Sequence, residues 1–439
     1  MNTKEKRLPM LRYKQNTISP RKKSVRSPEA LANYPRGLYQ KAFHRVLSQA
    51  TVGRLDLQIG EGIHSYGDLE SKEAVSLRIL DERFFKHAVL HGDIGFGEAY
   101  VESLWDTDDL LAVLDWFLKN GDSNPTFAQG AARSIVVGGL NFLDRIGHSF
   151  RRNTKEGSLR NISYHYDISN DLYRLMLDPT MAYSSGKYSE GVSDLQVAQE
   201  KKYETICRKM ALKPDLELLE VGSGWGGFAL YAARHYGCKV TTVTISRQQY
   251  EYTRELIQAE GMEDRINVVL QDYRDIQGTY DRIVSIEMVE ALGLEYHDTF
   301  FKKMDSLLRP RGIMLIQCIT FPESSYENYV RSIDWIAKHI FPGSLLLSQF
   351  EVMKSLKRVT DLNIYSIESL GLSYAKTLNA WARRFNANLD RVRELGFDET
   401  FIRLWNYYLA YCEVGFANRY INDVHIVFSR SQNTELPDG

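Results

Sequence analysis

Residues 216–227 read LELLEVGSGWGG. The first seven form a short apolar run of the kind that makes a buried strand. Glycines at 222, 224 and 227 interrupt it, and FALYAARH (228–235) resumes with helical spacing. A strand, a glycine turn and a helix, in that order, leave backbone N–H groups free at a helix N-terminus, where a ligand can meet them. Downstream, CKVTTVTIS (238–246), INVVLQD (266–272), DRIVSIE (281–287) and GIMLIQCIT (312–320) read as further strands, with a helix over Arg247–Glu260 between the first two. This alternation predicts an α/β fold with a mostly parallel, doubly wound, Rossmann-like sheet.

Upstream of the sheet the pattern differs. Residues 51–120 read as a small α+β domain, with strands at Arg54–Ile59 and Ala74–Leu80 and helices around Asp81–His91 and Asp106–Leu118. The second helix starts on Asp106, Asp108 and Asp109, which suit the positive end of a helix dipole. Residues 1–50 read as a basic tail; positions 1–30 carry nine Lys or Arg against Glu5 and Glu29. Residues 121–162 read as a basic amphipathic linker. Val136, Leu140, Leu143, Ile146 and Phe150 recur at three- or four-residue spacing among Arg133, Arg145, Arg151, Arg152, Lys155 and Arg160. Such a segment suits an anionic membrane surface, or an apolar neighbour. The sheet domain then spans 163–431, and 432–439 is a short tail.

Bulk properties exclude several classes. With 55 basic and 56 acidic side chains the net charge is −1, so charge alone marks no nucleic-acid binder. Cys207, Cys238, Cys318 and Cys412 lie far apart, which argues against a zinc site or a disulfide framework and fits a reducing cytosol. No signal-peptide pattern and no apolar run of membrane-spanning length is present. The expectation is a cytoplasmic protein, peripherally associated with the membrane.

Gly222, Gly224 and Gly227 also satisfy G-x-G-x-x-G, so the turn alone leaves two cofactors open. A dinucleotide site expects an acid at the end of the second strand. Here that strand ends Thr244-Ile245-Ser246, without a carboxylate. Thr244 and Gln249 can still bind a ribose, Asp272 ends the third strand on the adenine side, and Trp225 is expected to crowd a pyrophosphate. These points favour S-adenosylmethionine.

Longer segments carry a resemblance. They are YHYDISNDLYRLMLDPTM (164–181) with AYSSGKY (182–188), LLEVGSGWGGFALYAA (218–233), VTISRQQ (243–249), DRIVSIEMVEALG (281–293), IFPGSLLLS (340–348) and SYAKTLNAW (373–381). In this order they resemble the cyclopropane fatty acid synthase family of S-adenosylmethionine-dependent methyltransferases, from about residue 50 onward. The resemblance implies methyl transfer to the cis double bond of an unsaturated phospholipid acyl chain. A carbocation forms, a bound bicarbonate takes a proton, and a cyclopropane closes. It also implies an N-terminal lipid-binding or accessory domain, and relatives suggest a homodimer.

The same resemblance assigns residues. Tyr166, Tyr183, Ser184, Gly222, Gly224, Thr244 and Gln249 fall on cofactor-contacting positions, with Glu220 at the head of the turn and Asp272 and Tyr273 on the adenine side. Glu290 falls on the acid that holds bicarbonate, Tyr374 on the phenol that does so, and Ile319 on a backbone donor. The family's cysteine is Ser185 here, its histidine after Glu290 is Ala291, and a second histidine is Gln317. These departures leave the fate of the cation open between a ring and a methyl or methylene branch. An amine N-methyltransferase with a carboxylate at Glu287 or Glu290 is a further alternative, and a lipid-binding protein with an inactive site is the last.

Overall fold

The computed structural model describes residues 37–123 and 169–437. The linker from 124 onward, the boundary at 163 and Tyr166 lie outside the described residues.

The N-terminal unit opens with helix α1 (Leu38–Leu47), followed by strands β1 (Arg54–Ile59), β2 (Gly62–Gly67) and β3 (Ala74–Ile79), helix α2 (Arg83–Val101), strand β4 (Trp105–Asp106) and helix α3 (Leu110–Ser123). Its sheet runs β2-β1-β3-β4. Four expectations are corrected. Residues 38–47 belong to this unit rather than to a tail, because Phe43 and Leu47 are buried against its core. Strand β2 was not expected; none of its residues is buried, so it lacks the apolar alternation that marks a strand. Asp106 pairs with Arg78 across β3 and β4, so the helix starts later, where Asp109 accepts from Ala112 N at 2.9 Å. Helix α2 also runs past His91, with its turn broken at Gly92 (φ 56, ψ −130).

The second unit continues with α4 (Asn170–Met176), α5 (Leu195–Lys209), β5 (Glu217–Val221), α6 (Gly227–Tyr236), β6 (Lys239–Thr244), α7 (Arg247–Ala259), β7 (Ile266–Leu270), β8 (Tyr280–Ile286), α8 (His297–Leu307) and β9 (Leu308–Thr320). Then come α9 (Tyr326–Val330), α10 (Trp335–His339), α11 (Gln349–Val359), β10 (Leu362–Ser369), α12 (Gly371–Ala387), α13 (Leu389–Glu394), α14 (Glu399–Ala417) and β11 (Asn422–Arg430). The strand order is β10-β11-β9-β8-β5-β6-β7. Strands β5 to β9 pair in parallel, as expected of a Rossmann-like sheet, and β11 enters antiparallel between β9 and β10.

The two units share one core. Aromatic side chains of α14 and α10 pack on α2: Tyr407 lies 5.7 Å from Tyr100 and 4.7 Å from Trp335, ring to ring. Arg403 lies over the Tyr100 ring at 3.8 Å and donates to Tyr100 O and Trp105 O at 2.6 and 2.9 Å. Glu98 of α2 receives Lys338 and His339 at 2.9 and 3.1 Å. Burial alone would raise the Glu98 pKa, but these two partners hold it down at about 2. The N-terminal unit is therefore a wall of the second unit and not a tethered module.

Candidate active site

The sheet places its glycine turn and its acids where parallel strands end, the usual mouth of an α/β site. Gly222, Gly224 and Gly226 have φ of 99, 48 and 86°, a region that favours glycine. A Cβ at Gly227 would stand 2.5 Å from Thr180 O, whereas one at Gly224 would meet nothing within 4 Å. The turn is thus packed on one side and open on the other, as a cofactor cradle requires. Beside it, Thr244 Oγ donates to Gln249 Oε1 at 2.8 Å at the end of β6. Asp272 follows β7 and is held by Arg274 through bonds of 2.8 and 2.6 Å; the Tyr273 ring is buried against Phe300. These groups fit S-adenosylmethionine.

Trp225 corrects one expectation. Its ring is 2% exposed, packs 4.9 Å from Tyr173 and donates Nε1–H to Asn170 Oδ1 at 2.9 Å. It points into the core and crowds nothing at the turn, so the case against a dinucleotide rests on the missing acid.

Glu287 dominates the site. It follows β8 with φ 47°, and its two oxygens collect three donors. Oε1 accepts from Ser185 N and Gln317 Nε2, both at 2.8 Å, and Oε2 accepts from the Tyr374 hydroxyl at 2.7 Å. Burial raises the Glu287 pKa, while these bonds and the Lys202 ammonium pull against it. Glu290, on the short turn beyond β8, accepts from Ile319 N at 2.6 Å, and its Oε2 is buried with no partner among the described residues. Burial and the neighbouring Glu287 push Glu290 up to about 8. The two carboxyl groups thus differ in surroundings: Glu287 accepts from three donors, Glu290 from one among the described residues.

The donors that the resemblance assigns to bicarbonate are therefore taken. Ser185, Tyr374 and Gln317 serve Glu287, and Ile319 serves Glu290. Ser185 acts here through its backbone N–H; its hydroxyl turns to Gly186 O at 2.9 Å. The residues present do not fit a bound bicarbonate.

Around these acids lies a buried charged cluster. Lys202 of α5 is fully buried and donates to Ser184 Oγ at 2.6 Å. Burial lowers its pKa to about 8, although Glu287, Asp178, Asp423 and Glu220 all favour the cation. Glu220 accepts from Thr242 Oγ at 2.6 Å and is pushed up to about 8 by burial. Tyr183 shares a 2.9 Å hydroxyl–hydroxyl bond with Tyr408, and its ring lies 5.2 Å from Trp381. Lys202 and Asp423 were missed from sequence. Leu195, Ala198, Lys202 and Ile206 occupy one buried helix stripe, so a lysine in an apolar row was the signal.

A cavity of about 510 Å³ opens from these residues. Tyr183, Glu287, Glu290 and Tyr374 line it, together with Phe341, Tyr408 and Phe416 of the second unit. Phe43, Val46, Val89, Phe96 and Leu114 of the N-terminal unit complete its wall. A mostly apolar cavity of this size with a few convergent polar groups has the properties of a ligand site.

The model of the mycolic acid cyclopropane synthetase family matches residues 153–426. The chain belongs to this family. It is 35% identical over 343 residues to the tuberculostearic acid methyltransferase UfaA1 of Mycobacterium tuberculosis, covering 76% of this chain and 78% of that protein. It is 34% identical over 360 residues to the cyclopropane-fatty-acyl-phospholipid synthase of Escherichia coli K12, covering 82% and 89%. The crystal structure of mycolic acid cyclopropane synthase CmaA1 with SAH and CTAB superposes at a TM-score of 0.58 with 30% identity, covering 62% of this chain and 98% of that one. This member of the mycolic acid cyclopropane synthetase family is a S-adenosylmethionine-dependent lipid methyltransferase. Among the described residues, no helix is long and apolar enough to cross a membrane.

Proposed function

We propose that the protein methylates the cis double bond of a phospholipid acyl chain and closes a cyclopropane, with Glu287 as proton acceptor in place of bicarbonate. The observation that carries this reading is the Glu287 carboxylate seated on Ser185 N, Gln317 Nε2 and Tyr374 Oη beside an apolar cavity.

S-Adenosylmethionine, when bound at the glycine turn, supplies an electrophilic methyl on a positive sulfur. Gly222 and Gly224 let the backbone approach it, while Thr244, Gln249, Asp272 and Tyr273 face the nucleoside. The apolar cavity holds the chain and excludes water, which would otherwise capture a cation. The alkene π pair forms the new C–C bond as the carbon–sulfur bond breaks, leaving positive charge on the second alkene carbon. The Tyr183, Tyr374 and Tyr408 rings and the two carboxyl groups stabilise that charge. A proton leaves the former methyl carbon for Glu287, and its C–H pair closes the ring. Three hydrogen bonds fix the carboxylate for this step, and Lys202 favours its ionised form. Glu290, neutral below about 8, adds no second negative charge beside it.

The N-terminal wall of the cavity and the basic stretches of the sequence support docking on an anionic phospholipid surface. A 1,2-hydride shift that moves the charge onto the methylated carbon, followed by loss of a methyl proton to the same acceptor, gives a methylene-branched chain; the similarity to a tuberculostearic acid methyltransferase favours keeping this second reading. Expression in a host lacking such an enzyme, followed by lipid mass spectrometry and NMR, separates them. A gain of one CH₂ with cyclopropyl proton signals supports the first reading, olefinic methylene signals support the second, and unaltered lipids overturn both.

A further inference from the structure

Strand β11 lies antiparallel to β9 with His425 directly opposite Gln317. Both side chains are fully buried. The ring Nε2 stands 3.1 Å from Gln317 Oε1, and Gln317 Nε2 stands 2.8 Å from both Glu287 Oε1 and Asp423 Oδ2. The two ends of an amide are nearly the same size but opposite in hydrogen bonding. Turned over, the amide would aim its oxygen at two carboxyl groups and its N–H bonds at the imidazole.

We infer that His425 is a positioning residue for the proton acceptor, its Nε2–H holding the Gln317 amide with the N–H bonds toward Glu287. This rests on the reading of Glu287 as the acceptor. The far side of the ring specifies which nitrogen carries the hydrogen. Lys209 Nζ of α5 lies 3.4 Å from Nδ1, and an ammonium can only donate, so Nδ1 accepts and Nε2 donates. Glu368 Oε2 of β10 lies 3.7 Å from Nδ1 and is engaged by Lys209 at 2.8 Å, and its other oxygen is bound by Lys187 at 2.7 Å. The two lysines spend the Glu368 charge and leave the ring neutral, consistent with burial pushing His425 down to about 4. Surface charge on β10 and α5 thereby sets an amide orientation in the interior.

The test is a double-mutant cycle on the full-length enzyme with vesicles of monounsaturated phosphatidylglycerol. His425→Leu is expected to lower kcat about tenfold, the worth of one hydrogen bond, with lipid KM and S-adenosylmethionine affinity unchanged. Glu287 loses a donor to its ionised form, so the acid limb of the kcat–pH profile moves to higher pH. His425→Gln, whose amide nitrogen reaches the place of Nε2, recovers most of the turnover. In a Gln317→Met background, His425→Leu costs less than about twofold, because the interaction it acts through is gone. A His425→Leu enzyme with wild-type kcat and acid limb, or single effects that multiply in the double variant, overturns the inference. If His425→Leu does not fold, His425→Asn, which leaves Gln317 Oε1 unmet, is read by the same criteria. Glu287→Gln run alongside separates the two assignments. If it keeps turnover, the acceptor reading fails; if it loses turnover while the cycle is multiplicative, only the positioning role fails.

Discussion

Replacing Glu287 by glutamine changes one atom and tests the chemistry directly. The amide oxygen can still accept from Ser185 N and Gln317 Nε2, and the new NH₂ can donate to the Tyr374 hydroxyl, which now stands 2.7 Å from Oε2. Shape and all three contacts therefore survive, and only basicity is lost. A positioned general base contributes roughly 10²–10⁴-fold, so turnover is expected to fall by about that factor. S-Adenosylmethionine affinity, measured by calorimetry, is expected to stay within about threefold, since no cofactor-facing group has changed. The assay is transfer of labelled methyl from S-adenosylmethionine to monounsaturated phospholipid vesicles. The left-handed backbone at Glu287 gives a second limb: φ 47° suits glycine. Glu287→Gly leaves the Ser185, Gln317 and Tyr374 donors facing an empty anion seat, and added bicarbonate is expected to restore part of its activity. A Glu287→Gln enzyme within tenfold of wild type, or a Glu287→Gly enzyme indifferent to bicarbonate over tens of millimolar, refutes the reasoning.

Glu290→Gln tests the raised acid beside it. A carboxyl group at about 8 in the folded chain and near its ordinary value unfolded binds more protons when folded, so its contribution to stability falls as pH rises from about 4.5 to about 8. The glutamine variant lacks this loss; urea midpoints are expected to favour it over wild type near pH 8, with the difference shrinking toward pH 5, and a pH-independent difference contradicts the assignment. Gly224→Ala places a Cβ in the open space beside the turn on a left-handed backbone, and its S-adenosylmethionine Kd is expected to rise at least tenfold; an unchanged Kd removes that space from the cofactor site. Val89→Trp fills part of the cavity from the N-terminal side, and product analysis with mixed acyl chains is expected to shift toward shorter ones, whereas an unaltered distribution means the chain lies elsewhere.

What the sequence made legible was local. The glycine turn, the five strands from β5 to β9 and the helices after the first two could be read because strand and helix periods change within a few residues of each boundary. Strands β10 and β11 were missed. In β11, Asp423 and His425 interrupt an apolar run, and no local rule says that both find partners from β9 and β10. The same limit explains Glu287. It stood in the quoted segment beside Glu290, but its three donors come from residues 185, 317 and 374, and only the assembled sheet and α12 bring them to one carboxylate. The departures at Ser185 and Gln317, which in the sequence left the fate of the cation open, supply donors to a side-chain carboxylate. Trp225 failed for the opposite reason, since its spacing in the turn does not reveal that Asn170 and Tyr173 draw it inward.

The cavity is walled by two stretches of chain with separate duties. In the proposed reaction the bond-making groups come from residues 183 to 408, whereas the far lining comes from α1, α2 and α3. Chain length and branching of the accepted lipid can therefore drift by substitution at Phe43, Val46 or Val89 while the reacting groups stay as they are. Acyl-chain preference has, on the proposed reading, its own address within residues 38–123, remote in sequence from the reacting groups.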